Sequence, residues 1–169
     1  MSYMSAIVRS SYSHISVGHY LLRCSLAQLA NARYLLQAIA LYRNQFRPSA
    51  ALDKPYVAIG VPLIAAPTDE EAQFLASSTY ERVLGILRGD RRRLQAPQEN
   101  FMAQLHPQEI AAIQDFLGAA VIGGPDTVHE GMAALQQATG ADELMLVSDV
   151  FDPALRLRSL DIAAAACSA

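Results

Sequence analysis

The sequence predicts an α/β fold made of parallel βαβ units, and it predicts that these units are part of a larger closed structure. Two apolar runs, at 56–66 and 143–148, have the length of strands and lie between segments with helical periodicity. A third, shorter extended piece lies at 119–122. Strands that alternate with helices form right-handed parallel units, but so small a sheet leaves its outer edges open. More strands, from this chain or from another, are therefore expected to close the sheet; a small self-contained domain is the alternative.

Composition narrows the class of protein. The chain has 169 residues, of which 52% are hydrophobic and 17% charged, so it can bury a core and is not expected to be disordered. Its net charge of −3 argues against nucleic-acid binding. Cys24 and Cys167 lie far apart and form no metal motif, which predicts reduced thiols in a cytoplasmic protein. No apolar run has the length of a membrane span, and the N-terminus lacks the apolar stretch of a secretory signal.

The first predicted element is a helix from about Leu21 to Phe46, which follows an irregular start at 1–20. Its apolar residues recur at steps of four, three and four, which places them on one stripe of a helix. Pro48 predicts the end of this helix, because proline disfavours the helical conformation in the residue before it. The stripe consists of Leu35, Ile39, Tyr42 and Phe46.

The strongest predicted strand, at 56–66, is apolar at both odd and even positions, as in a parallel sheet that is covered on both faces. Pro62 within this run argues against a fully paired central position. Thr68 then has the pattern of an N-cap, and Glu71, three residues later, completes a capping box. The helix that starts here is expected to end near Leu87.

A polar stretch at 88–106 is interpreted as a surface excursion, after which strand and helix alternate again. Pro107 suits the first position of a short helix, and the extended piece at 119–122 follows it. A further helix is predicted from Pro125 to Thr139, with Gly140 as its C-terminal cap.

The second strong strand, at 143–148, is also predicted to be buried on both faces. Asp152 and Pro153 are typical of a helix start, and they predict a last helix that runs to about Ala166.

Three stretches of the chain carry motifs whose order and spacing are specific, although each motif alone is weak. Residues 36–76 contain LYRNQFRPS and APTDEEA, and residues 87–100 read LRGDRRRLQAPQEN. Residues 121–166 contain GGPDTV, ADELM and the segment DPALRLRS. In this order the motifs resemble the C-terminal part of the bacterial luciferase-like, flavin-dependent monooxygenases, over roughly four fifths of the chain.

The resemblance implies a partial TIM (β/α)8 barrel that comprises the C-terminal strands and helices of the family's fold. The whole chain, 1–169, would be a single incomplete barrel domain, with a degenerate start at 1–33 and a family-like region at 34–166. The family binds reduced FMN, or F420 in some relatives, and uses molecular oxygen to oxidise an organic substrate. Its catalytic histidine and much of its flavin pocket lie in strands that have no counterpart here, so no catalytic residue is assigned in this chain.

One cofactor-binding residue, Ser25, follows from the same resemblance. Relatives carry a serine-rich stretch that holds the flavin phosphate, and Ser25 with the run Ala27–Ala30 is what remains of that stretch. The segment that follows it in the family is missing before Tyr34. The alternative interpretation of Ser25 is an ordinary serine at the start of a helix.

Two charged features have simpler structural alternatives. The turn at 123–127 opens a helix whose free N–H groups can hold an anion, although Asp126 in the first turn already complements the helix dipole. The basic run at Arg88 and 91–93 can meet a phosphate or an acidic partner, but it also fits a solvated loop. Both features are expected to be structural.

The histidines and the last helix give no catalytic or metal centre from their sequence context. No histidine has an evident partner that would make it a general base, and no pair has metal-ligand spacing. His129 is expected to face water. Arg156 and Arg158 are expected to pair with Asp149 or Asp152, or to line a subunit contact. The four histidines are His14, His19, His106 and His129.

Two hypotheses of function remain from the sequence. The first is a flavin-dependent monooxygenase that is truncated and does not run its reaction alone, because an incomplete barrel cannot keep water from the reacting groups. The second is a non-catalytic remnant that binds flavin or associates with itself, for example as a homodimer.

Overall fold

In a computed structural model, the described residues are 24–26, 32–49, 52–90 and 92–168. They form a sheet of four strands with five helices and one 3₁₀ turn, Met102–Gln104. The strands are β1 (Cys24–Leu26), β2 (Val57–Ala65), β3 (Val121–Gly123) and β4 (Glu143–Val147). The helices are α1 (Ala32–Gln45), α2 (Asp69–Leu87), α3 (Pro107–Phe116), α4 (Pro125–Thr139) and α5 (Pro153–Ser168). The start predicted to be irregular, 1–20, lies outside the described residues, as do His14 and His19.

The sheet is assembled on β2, which pairs in parallel with each of the other three described strands. Ala58 and Ile59 pair with both β1 and β4, so these two strands must lie on opposite edges of β2. β3 pairs farther along the strand, at Leu63 to Ala65. The predicted parallel α/β arrangement is confirmed, while the four described strands are half the number in a closed TIM barrel.

Helices cover the face of the sheet that carries the odd-numbered residues of β2. The odd-numbered residues from Val57 to Leu63 are at most 1% exposed and belong to one apolar cluster. This burial explains why the run was apolar at those positions, since removing such side chains from water stabilises the fold. α1, α4 and α5 contribute Leu35, Ile39, Val128, Met132, Ala163 and Ala166 to the cluster.

A second apolar cluster covers the carboxyl end of β2 with α2 and α3. Ile64 and Ala66 pack there with Val83 of α2 and Ile113 of α3. The predicted surface excursion at 88–106 is wrong at its end, because apolar residues around the 3₁₀ turn pack partly buried against this cluster. These residues are Phe101, Met102 and Leu105.

The N-cap predicted for α2 is confirmed, but the capping box predicted around it is only half formed. Thr68 is the N-cap, since its Oγ1 accepts the N–H of Glu71 at 3.2 Å. The reciprocal half of the predicted capping box is wrong, because the Glu71 carboxylate instead pairs with Arg158 of α5. A contact from a distant helix has therefore displaced a local one.

The predicted C-terminal cap of α4 and the predicted N-terminal cap of α5 are confirmed. Gly140 closes α4 in the left-handed conformation, with φ 57° and ψ 34°. Asp152 precedes α5 as its N-cap, and its Oδ1 accepts the N–H groups of Ala154 at 2.7 Å and Leu155 at 3.1 Å.

The predicted first helix is wrong in its first part. Cys24–Leu26 forms β1, and α1 begins only at Ala32. A short apolar run does not distinguish a strand from a helical turn by periodicity, and here the parallel pairing with β2 decides.

The structure also corrects the prediction that β4 is buried on both faces. Leu146 faces the helix-covered side and is 7% exposed, whereas Val147 on the other side is 45% exposed. Side chains alternate along a strand, so Val147 and Met145 share a face with their register partners on β2, Pro62 and Gly60. Pro62 is exposed, and Gly60 and Met145 are half-buried. We call the four residues Gly60, Pro62, Met145 and Val147 the open patch.

None of the helices in the described ranges is both long enough and apolar enough to cross a membrane.

Candidate functional site

Three parallel strands end at one edge of the sheet, which we call the C-terminal edge. The loops that follow β2, β3 and β4 begin there, at 66–68, Gly124 and 148–152. Parallel α/β folds place their binding and catalytic groups at this edge, because the loops meet there. The C-terminal edge is therefore the candidate functional site.

Asp69, the first residue of α2, is hydrogen-bonded to the start of α4. We call Asp69 together with Gly124 and Thr127 the Asp69 clamp. The Oδ1 of Asp69 accepts the N–H of Gly124 at 2.6 Å, and its Oδ2 accepts the hydroxyl of Thr127 at 3.1 Å. The hydrogen bond from Gly124, and then that from Thr127, hold the pKa of the Asp69 carboxyl below its ordinary value. The approach requires a glycine at Gly123, because a Cβ there would lie 2.7 Å from Asp69 Oδ1 and 2.5 Å from Thr127 Cγ2.

The Asp69 clamp bears on whether the turn at 123–127 can bind an external anion. The helix start there does hold an anion, but the anion is the chain's own Asp69 carboxylate. A phosphate at the same place would meet a like charge and would compete for the Gly124 N–H group. These residues therefore do not fit a flavin phosphate.

Ser159 of α5 fixes the carboxyl end of β2. Its side chain is fully buried, and its Oγ accepts the N–H of Ala65 at 2.7 Å. The Oγ of Ser148, which follows β4, lies 3.5 Å from the same oxygen. One hydroxyl thus connects α5 with the ends of two strands.

An ion pair joins α2 to the loop after β4. Arg82 Nη2 lies 2.6 Å from Asp149 Oδ2. Thr79, one turn earlier on α2, donates its hydroxyl to the Asp149 carbonyl at 3.3 Å. Both contacts hold the loop after β4 against the helix that follows β2.

The acidic partners predicted for the arginines in α5 are wrong, while the alternative of a subunit contact stays a prediction. Arg156 donates to the carbonyl of Val150, with its Nη2 at 2.9 Å, and Arg158 pairs with Glu71. Of the two predicted acids, Asp149 pairs with Arg82 and Asp152 caps α5. The long-range choice of partner depends on which helices are neighbours, and the sequence does not give that.

Ser25, the predicted flavin-phosphate residue, lies in β1 and not at the start of a helix. Its backbone pairs in register with Ala58, near the amino end of β2. That position is roughly 20 Å along the strand from Ala65 at the C-terminal edge, given the rise of a strand. The structure does not bring Ser25 to the Asp69 clamp, and its binding role stays a prediction.

The basic run is consistent with a surface loop. Arg88 pairs with Glu109, and Arg92 lies 2.6 Å from Asp90. Arg93 is exposed, and Arg91 lies outside the described residues.

The contacts of the two described histidines are structural, one at a helix start and one between two helices. The backbone N–H of His106 donates to Glu109 Oε2 at 3.0 Å at the start of α3. His129 is exposed, as predicted, but its Nδ1 also lies 2.6 Å from the carbonyl oxygen of Ala166. Because a carbonyl only accepts, Nδ1 carries the hydrogen in this contact.

Neither a metal site of histidine, cysteine and acidic ligands nor an activated thiol at Cys167 is indicated in the described part of the chain. There, no group of three or more histidine, cysteine or acidic residues is arranged to hold a metal ion. Burial raises the pKa of the Cys167 thiol, whose Sγ lies 3.6 Å from Met132 Sδ. A raised pKa disfavours the thiolate that would act as a nucleophile.

Sequence reasoning missed the two residues that organise the C-terminal edge, Asp69 and Ser159. Asp69 comes after the short loop that follows the strongest strand, which is a usual place for a functional carboxylate. That signal was read only as part of the helix start, because its partner Gly124 is 55 residues away. Ser159 gave no signal beyond being a polar residue among the apolar ones of α5.

Comparisons with known proteins find relatives among curated sequences and solved structures. No family profile matches the chain. It is 42% identical over 127 residues to the uncharacterized protein YvbT of Bacillus subtilis. It is 34% identical over 129 residues to a luciferase-like monooxygenase of Escherichia coli K12. The alignments cover 75% and 76% of this chain, but the chain spans only 38% of each relative.

Two solved structures share its fold. The crystal structure of apo-MsnO8 is 28% identical in sequence, with a TM-score of 0.73 over 84% of this chain and 43% of that chain. The second is the oxygenating constituent of 3,6-diketocamphane monooxygenase from Pseudomonas putida, in complex with FMN. It is 20% identical, with a TM-score of 0.50 over 79% of this chain and 38% of that chain, so this likeness concerns the fold alone.

Proposed function

This chain is a relative of the luciferase-like monooxygenases, and on that premise we propose that it forms one section of a flavin-dependent monooxygenase barrel. In this proposal it has no oxygenase activity alone and contributes to activity when the remaining strands of the barrel are supplied. The expected cofactor is reduced FMN, with F420 less favoured, and the expected substrate is an organic molecule. The cytoplasmic location expected from the sequence is part of the same proposal.

The single observation that carries the proposal is the open patch. Parallel sheets are covered on both faces, yet Val147 is 45% exposed and Pro62 is exposed. The chain also spans 38% of its relatives, so most of the polypeptide that surrounds the corresponding strands in them has no counterpart in this alignment. A section of a barrel explains both facts.

The residues of this chain have a supporting part in the proposed site. When bound, a reduced flavin would supply the electrons that activate oxygen. The Asp69 carboxylate occupies the start of α4, so the phosphate of such a cofactor must be held by other residues. Asp69, Ser159 and Arg82 would fix the loops of the C-terminal edge, and these loops would form part of the wall that keeps water out.

A chimera tests this function. The matched region of the Escherichia coli luciferase-like monooxygenase is replaced by the corresponding residues of this chain, and the unaltered parent is the control. The chimera is expected to bind FMN within about tenfold of the parent's Kd, and to consume oxygen when supplied with reduced FMN. A chimera that folds by circular dichroism, but binds no FMN where the parent does, would contradict the proposal.

The alternative function is a self-associating remnant without catalysis, and the exposed open patch is the observation in its favour. Light scattering separates the two. A stable homodimer of the chain, together with a chimera that does not bind flavin, would favour the remnant.

A further inference from the structure

Two sulfur atoms meet where the end of α5 packs against α4. The Sγ of Cys167 lies 3.6 Å from the Sδ of Met132. Met132 is 4% exposed and belongs to the apolar cluster beneath α1, α4 and α5, whereas Cys167 is exposed. Buried packing therefore fixes one sulfur, while the other is open to an ion that arrives from solvent.

The imidazole of His129 is anchored beside this sulfur pair. His129 comes three residues before Met132, so both side chains leave the same side of α4. Its Nδ1 donates to the carbonyl of Ala166, the residue before Cys167, at 2.6 Å. The lone pair of the ring is then on Nε2, and a histidine that binds a metal through one nitrogen usually donates from the other in this way.

The distance between the two sulfur atoms suits one shared metal ion. Two bonds of about 2.3 Å, the length of a metal–thiolate bond, would enclose an angle of about 100° at an ion shared by sulfurs 3.6 Å apart. This angle is close to the tetrahedral one, so the sulfurs can bind one ion without a change in the packing of the two helices.

The chemistry of the ligands favours copper in its monovalent state. Thiolate and thioether are soft ligands, which select Cu(I), and imidazole also binds copper. One thiolate with two neutral ligands carries a single negative charge, which Cu(I) neutralises. A divalent ion would leave a net positive charge against the apolar cluster, and an uncompensated charge there costs free energy.

We propose that Met132, Cys167 and His129 form a binding site for one Cu(I) ion between α4 and the end of α5. On binding, the thiol of Cys167 releases its proton to solvent, and the thiolate, the thioether and the imidazole Nε2 coordinate the ion. The site holds only two ligands of the histidine, cysteine and acidic types, and the thioether is the third ligand. Because α5 begins at the C-terminal edge and the site lies at its other end, the proposal does not depend on flavin binding.

Titration of the reduced full chain tests the site, with Cu(I) supplied as its bicinchoninate complex under nitrogen and without flavin. The chain is expected to remove one equivalent of Cu(I) from the chelator, and its thermal midpoint should rise with the bound ion. Cys167→Ser, Met132→Leu and His129→Ala are each expected to weaken binding at least about tenfold, because each removes one ligand. Leucine nearly keeps the volume of Met132, so the packing between α4 and α5 is retained in that variant.

Cys24→Ser and Met145→Leu are the matched controls, because each replaces a sulfur-containing residue of the sheet, in β1 and β4. Both are expected to leave the affinity for Cu(I) within about twofold. The proposal is overturned if the wild type takes no Cu(I) from the chelator, or if Cys24→Ser weakens binding as much as Cys167→Ser. It is also overturned if Met132→Leu or His129→Ala binds Cu(I) as tightly as the wild type, since the three-ligand site would then not exist.

Discussion

At the scale of single residues, Asp69 and Ser159 organise the C-terminal edge by different physical means. Asp69 is an exposed carboxylate that accepts one hydrogen bond from Gly124, just before α4, and one from Thr127 within it, so its contribution depends on its charge. Ser159 is a buried neutral acceptor, and its contribution depends on the cost of leaving a backbone N–H group without a partner.

Ser159→Ala is expected to destabilise the fold by about 1–3 kcal/mol, because the buried N–H of Ala65 loses its acceptor. Urea unfolding followed by circular dichroism measures the change in the free energy of unfolding. Ser148→Ala is the control, since Ser148 is only half-buried and its contact with Ser159 is 3.5 Å long. Equal losses for the two variants would mean that the Ala65 hydrogen bond is not the cause.

The Asp69 clamp is expected to make stability depend on acid pH. A carboxyl whose pKa is lowered by folding stabilises the native state above its unfolded pKa, and this stabilisation is lost as the pH falls through the folded value. The thermal midpoint of Asp69→Asn should therefore lie below that of the wild type at neutral pH. The difference should shrink as the pH falls below the ordinary aspartate value of 3.8.

Asp126→Asn is the matched control for the clamp. It removes a carboxylate from the first turn of α4 and leaves both Asp69 hydrogen bonds in place. It is expected to lower the thermal midpoint less than Asp69→Asn at neutral pH, because it removes only a helix-dipole interaction. A larger effect of Asp126→Asn would show that the clamp is not what holds this helix start.

At the scale of elements, the sequence was informative wherever the signal was local. The limits of α2, α4 and α5 were predicted from Thr68, Gly140 and Asp152, since a capping residue acts on its own turn. β1 was missed because three residues hold no period, and its strand character depends on pairing with β2. The Glu71–Arg158 pair was missed for the same reason: it joins elements that are distant along the chain.

Two glycines with positive φ, Gly89 and Gly140, allow the cost of backbone strain to be separated from the cost of a disturbed contact. Gly140 has φ 57°, and a Cβ there would lie 3.2 Å from Arg43 Nη2. Gly89 has φ 77°, with nothing within 4 Å of the added Cβ. Gly89→Ala is expected to cost about 1 kcal/mol of backbone strain, and Gly140→Ala about 1 kcal/mol more, because it also disturbs Arg43.

The additional cost at Gly140 has a defined source. Arg43 donates to the carbonyl of Thr139 at 2.9 Å and to that of Gly140 at 2.6 Å, and these bonds join α1 to the end of α4. In an Arg43→Ala background, Gly140→Ala should therefore cost no more than Gly89→Ala in urea unfolding. An unchanged difference would place the extra cost in the backbone alone.

At the scale of the whole molecule, the sequence predicted the class of fold, but not which surface of the described sheet would be exposed. The parallel α/β arrangement follows from the alternation of strands and helices, as the pairings of β2 confirm. Which residues face outward on β4 depends on its register with β2, and Val147 was predicted to be buried for lack of that register.

Hydrogen exchange should reveal the difference between the central strand and its neighbour. Ala58 and Ile59 of β2 lie between β1 and β4, whereas half of the amides of β4 point away from β2. In the isolated chain, the outward amides of β4 are expected to exchange at least about tenfold faster than those of Ala58 and Ile59. Uniform protection across both strands would contradict an unpaired outer edge of β4.

The central place of β2 also has a consequence for how the chain reaches its native state. None of its described partners is joined to it by a short hairpin: β3 and β4 come after intervals of roughly 60 and 85 residues, and each pairing has to close a loop of that length. During synthesis β2 emerges well before β4. The backbone groups of β2 on the side of β4 therefore have no strand partner until β4 has been made. The nascent polypeptide is therefore most vulnerable to aggregation in that interval, and shielding by a chaperone would protect it then more than at any later time.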